Sequence, residues 1–151
     1  MGPRFRGDDG REGNANEMTA AHTFLHPQHW KKPKGFANGI AAEGHVVFLA
    51  GQIGWNAEQK FDSTDFVEQA RQALANIVAL VAEAGGGPEH ITRLTWFVTD
   101  KKEYMSRQRE LGEAYRAVMG KNFPAMTLVQ VVALVEDDAK VEIEATAVLP
   151  V

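Results

Sequence analysis

A chain of 151 residues with 44% hydrophobic and 24% charged side chains has the make-up of one folded domain around a single core. It contains no cysteine, which excludes disulfides, thiolate nucleophiles and Cys-ligated metal centres. The formal charge is −4, and no apolar run approaches the roughly 18 residues of a membrane helix, so neither nucleic acid nor membrane is the expected partner and a cytoplasmic location is expected.

Residues 1–18 hold four Gly and seven charged residues, and Phe5 is their one large apolar side chain apart from methionine. Such a segment buries too little surface to offset its ordering entropy. It is expected to be a disordered tail, with Met18 as an alternative start, no signal-peptide core, and a single domain over residues 19–151.

Thr23 to Leu25 reads as a short strand, followed by a loop with Pro27 and Pro33. Gly35–Ala42 and His45–Gln52 are apolar-rich and separated by Glu43-Gly44, a two-residue turn signal, so a hairpin is expected. From Asp65 to about Ala84 the period changes, with Phe66, Ala70, Leu74, Ile77 and Val81 on one helix face. Asp62, Ser63 and Thr64 offer N-caps, and Gly85-Gly86-Gly87-Pro88 stops the helix. Ile91–Thr99 alternates as a strand. Asp100 and Glu103 then suggest the start of a second helix, whose stripe is Tyr104, Leu111, Tyr115 and Val118 and whose end is Gly120. Met126–Leu134 is apolar on both faces, whereas Lys140–Leu149 alternates. The expected fold is α+β, one sheet with two helices on one face, and self-association would cover the other face.

Four stretches carry a family resemblance. They are Phe48-Leu49-Ala50-Gly51-Gln52, Gln69-Ala70-Arg71-Gln72-Ala73-Leu74-Ala75-Asn76-Ile77, Phe123-Pro124-Ala125 and Val141-Glu142-Ile143-Glu144-Ala145. In order and spacing the chain resembles the Rid (reactive intermediate deaminase, YjgF-like) family over residues 35–149. The resemblance implies a chorismate-mutase-like mixed sheet with two helices on one face, a homotrimer, and small-molecule clefts between subunits. It also implies hydrolysis of imines and enamines without cofactor or metal.

In well-known members an arginine after Phe-Pro-Ala anchors the substrate carboxylate; here that position is Met126. A thioether offers no donor, and losing one partner of such a pair costs on the order of 2–5 kcal/mol. Phe36 replaces a tyrosine, Ala50 replaces a serine, and the asparagine that such members carry in the second helix is replaced near Gly112. Glu142 matches the glutamate associated with the attacking water. The expected activity is therefore imine or enamine hydrolysis of a substrate without an α-carboxylate. Glu142 would be catalytic, and Phe36, Ala50, Gly51, Trp55, Pro124 and Met126 would line the substrate pocket. A non-catalytic ligand-binding trimer and an endoribonuclease-like member are the alternatives. A substitute cation could come from Arg93, Arg107 or Arg109. Lys31-Lys32-Pro33-Lys34 reads as a solvated basic loop, and His22, His26 and His29, interrupted by Pro27, are not expected to hold a metal.

Overall fold

The computed structural model describes residues 22–151; the expected tail and the alternative start at Met18 lie outside the described residues. The periodic segment after the loop forms helix α1, Phe66–Glu83. Its N-cap is Asp65 rather than one of the three residues before it, and the Asp65 carboxylate accepts from the Glu68 amide. Its end is a Schellman turn: the Gly85 amide donates to Ala82 O and the Gly86 amide to Val81 O, with Gly85 at φ +89°. One face of α1 is wholly buried, through Ala70, Ala73, Leu74, Ile77 and Val81.

Strands β3 (His45–Gln52), β4 (Ile91–Val98), β5 (Ala125–Gln130) and β6 (Val141–Leu149) form a mixed sheet in the order β3-β6-β4-β5. Only the β4–β5 pair is parallel. The helices cover one face. On that side Leu94, Trp96 and Val98 of β4 and Val141, Ile143 and Ala147 of β6 are fully buried against α1 and the later helices.

Three expectations are corrected. β2 (Gly39–Ala42) does not form a hairpin with β3; it pairs antiparallel with β1 (His22–Leu25) in a separate two-stranded sheet, so there is not one sheet but two. The turn signal is nonetheless real. Gly44 lies at φ +147°, and a methyl there would sit 2.0 Å from Leu149 O, so only glycine lets β3 start against the end of β6. The second helix is split at Arg107 into α2 (Lys101–Ser106) and α3 (Gln108–Met119), giving three helices. The strand expected to reach Leu134 ends at Gln130, and as an edge strand it is only partly covered.

Candidate functional site

Residues directly opposite in a sheet share a face. Glu142 is level with Phe97, and Phe97 with Val129, whereas Ile143, Trp96 and Leu128 occupy the helix-covered side. Glu142 therefore belongs to the open face, with Glu144 and Thr146 along its own strand and Val46, Phe48 and Ala50 on β3. That face mixes apolar with polar side chains and is partly uncovered in the single chain: Phe48 is 81% exposed and Val46 53%, while Val148 is buried.

Glu142 owes its surroundings to a bulge. Leu49 pairs with Ala145 but Gln52 pairs with Ile143, so three steps on β3 oppose two on β6. The extra residue brings Gly51 under the Glu142 side chain. A methyl at position 51 would lie 2.5 Å from Glu142 Oε1, so this carboxylate rests on bare backbone. Among the described residues the Glu142 carboxylate makes no ion pair or hydrogen bond. Half-buried and unpartnered, it has lone pairs available for a water.

Two amides that the sequence reading passed over hold this arrangement. Gln69 is buried in α1, and its Nε2 donates to Ser63 O (3.1 Å) and Asp138 O (3.0 Å) while its Oε1 accepts from the Lys140 amide (2.8 Å). That ties the segment leading into β6, two residues before Glu142, to the helix. One turn pair further along, Asn76 Nδ2 donates to Trp55 O (2.8 Å) and Ile53 O (3.3 Å), fixing the loop that follows Gly51. The available signal was a Gln and an Asn at i and i+7 on an otherwise apolar helix face. Trp55 itself packs edge-on against Phe61, ring centroids 6.1 Å apart.

Met126, Pro124 and Phe36 lie elsewhere. Met126 is level with the buried Leu94 and packs against the core on the helix side, opposite to Glu142. The Ala37 amide donates to Pro124 O (3.0 Å) and Ala37 bridges to Ala125, which brings Phe36 beside Pro124 and Met126 at the outer edge of β5. Two strand spacings and four residues of rise separate this edge from Glu142, roughly 16 Å. The candidate residues of one chain thus fall into two separate groups: Glu142 with Gly51 and Ala50, and Phe36 with Pro124 and Met126. Gly112 is buried in α3.

Of the three arginines, Arg107 is committed. It pairs with Asp65 (2.5 Å) and with Glu110, and these partners push its pKa up while its guanidinium holds the Asp65 carboxyl below the usual range. Arg109 faces solvent on α3, 3.8 Å from Glu113. Arg93 is exposed on the open face, level with Thr146 and Ala125. His22 and His26 bond separately to Val148 O and Trp30 O.

An α+β chain with this mixed sheet, one helical layer and an open face carrying a bulge-seated glutamate has the architecture of YjgF-like proteins. The model of the family described as Endoribonuclease L-PSP matches residues 30–149. The chain is 35% identical over 105 residues to a RutC family protein of Haemophilus influenzae, covering 70% of this chain and 80% of that protein. Identity and coverage are the same with the 2-iminobutanoate/2-iminopropanoate deaminase of Escherichia coli. The crystal structure of YyfB, a Rid-family protein of Yersinia pestis, matches with TM-score 0.72 and 26% identity over 85% of this chain and 99% of that one. The chain belongs to this family, the Rid or YjgF-like proteins, whose named relatives include imine deaminases. No helix among the described residues is long and apolar enough to cross a membrane.

Proposed function

We propose that this protein hydrolyses C=N compounds, imines or the enamines that tautomerise to them, in clefts completed between copies of the chain, and that its substrates lack an α-carboxylate. The carrying observation is the unpartnered Glu142 carboxylate over Gly51 on the open sheet face. Water held by Glu142 attacks the imine carbon, and Glu142 accepts a proton from that water. Return of the proton to nitrogen lets the carbinolamine collapse to a carbonyl compound and ammonia. Each turnover consumes one imine and one water.

Two further observations support the assembly. The two groups are too far apart, and too differently oriented, to grip one small molecule within a chain. The exposed Phe48, Val46 and Val129 offer apolar area for a second copy to cover, and a homotrimer is the closed arrangement we propose. Met126, Phe36 and Ala50 supply apolar walls where a carboxylate would need a donor, which favours neutral substrates at the reacting end.

The test supplies imines enzymatically. A flavin-dependent monoamine oxidase generates imines without a carboxylate, and an amino-acid oxidase generates imino acids. Ammonia release is expected to accelerate for the first set and not the second, and to return to background with Glu142→Gln. Acceleration of neither set, with ligand binding retained, would favour a non-catalytic binding trimer.

A further inference from the structure

A sizeable hollow lies beside Phe36, and no residue of the Glu142 group lines it. A cavity of about 590 Å³ is lined by Trp30, Lys31, Lys32, Pro33, Lys34, Phe36 and Asn38, a size that suits a small organic ligand. Trp30, Phe36 and Pro33 contribute rings to its lining beside the lysine stems, and Lys31, Lys32 and Lys34 are exposed. From Thr19 to Ala42 the chain has no Asp or Glu, so three of its 16 basic side chains gather here without an acidic neighbour in sequence, although the whole chain carries −4. Among the described residues neither Lys31 nor Lys34 forms an ion pair.

The loop is held at both ends. The Trp30 amide donates to Pro27 O (3.0 Å), and the His26 ring bonds to Trp30 O (3.0 Å). At the other end Gly35 adopts φ +76° and Ala37 is stitched to Pro124 on β5. A loop fixed in this way loses little entropy when a ligand arrives.

We propose that this loop is an anion-recognition site for a planar, ring-bearing carboxylate, with the ring between Trp30 and Phe36 and the carboxylate at Lys31 and Lys34. The site extends the reading above, resting on Phe36 as a ligand-lining residue. It supplies, one loop away, the positive charge absent at Met126. An exposed lysine pair is a point-charge anchor rather than a bidentate fork, so it tolerates a carboxylate set away from the reacting carbon. The substrate class that follows is an aromatic C=N compound whose anionic group is distal to the imine.

Unreactive probes test this by binding alone: phenylacetate and its neutral isostere phenylacetamide, titrated into the full chain and followed by NMR chemical shifts. Phenylacetate is expected to bind about fivefold more tightly than phenylacetamide at low salt, with shifts at the Trp30 indole N–H. The preference should vanish in the Lys31→Gln/Lys34→Gln double variant, which alters only exposed side chains, and shrink at high salt. Equal affinity for the two probes, an undiminished preference in the double variant, or no binding of either would overturn the proposal. Because no bond is made or broken, this experiment and the ammonia assay fail independently.

Discussion

Glu142 and Met126 stand on opposite faces of the same sheet. Glu142 is level with Phe97 on the open side, and Met126 is level with Leu94 on the helix-packed side. The residue expected to activate water and the residue expected to meet the substrate's far end therefore cannot converge within one chain. On the proposed reading, they meet only in an assembly of chains.

Gly51→Ala tests the seat of the carboxylate. The added methyl would lie 2.5 Å from Glu142 Oε1, and the flexible end of that side chain would swing aside. The fold should survive with little change in melting temperature. Imine hydrolysis should fall by about 10²-fold, the scale of a displaced general base.

Gln69→Ala tests the tether. It strands Ser63 O, Asp138 O and the Lys140 amide in a buried setting. A stability loss of about 2–3 kcal/mol is expected from urea denaturation. Gln69→Glu should fare no better, since a carboxylate would face two carbonyl oxygens.

The Asp65–Arg107 pair predicts acid sensitivity. Asp65 has its pKa lowered, chiefly by the hydrogen bond from Arg107, so its contribution is present above the ordinary carboxylate value of 3.8 and is lost as pH falls through the lowered folded value. The pair is partly exposed, and Asp65 also caps α1, so Asp65→Ala should cost about 1 kcal/mol at pH 7. Urea midpoints at pH 6 and pH 3 should differ less for the variant than for the parent chain.

Phe48→Asp tests the open face. Phe48 is 81% exposed in the single chain, so the substitution should leave the subunit folded while placing charge in the proposed interface. Light scattering should report a fall from trimer to smaller species, with hydrolysis lost in parallel.

Local chemistry was legible where it acts locally. The 3.6-residue period and the glycine run gave α1 and its terminus to within a residue or two, because amphipathic periodicity and left-handed glycine caps are written in consecutive residues. The hairpin failed because Glu43-Gly44 specifies a reversal and not a partner. Leu149, more than a hundred positions away, takes the place that β2 was expected to fill. The break at Arg107 was hidden because Tyr104 and Leu111 keep the stripe in phase across it. For the candidate site, residue types could be named in advance, but not which of them share a face. That depends on strand register and on the bulge at Ala50–Gly51, neither of which a period-two pattern encodes. Gln69 was missed because a buried amide resembles any other polar residue until its long-range partners, Asp138 and Lys140, are known.

Subunit mixing tests the central claim most directly. Glu142→Gln and Phe36→Asp chains, each expected to be inactive alone, should recover about a quarter of the parent rate of imine hydrolysis when unfolded together and refolded as mixed trimers. Intact sites then arise wherever the Glu142 of one chain faces the Phe36 of another. Recovery of no activity from well-assembled mixtures would mean that each site is built from a single chain, contradicting the account.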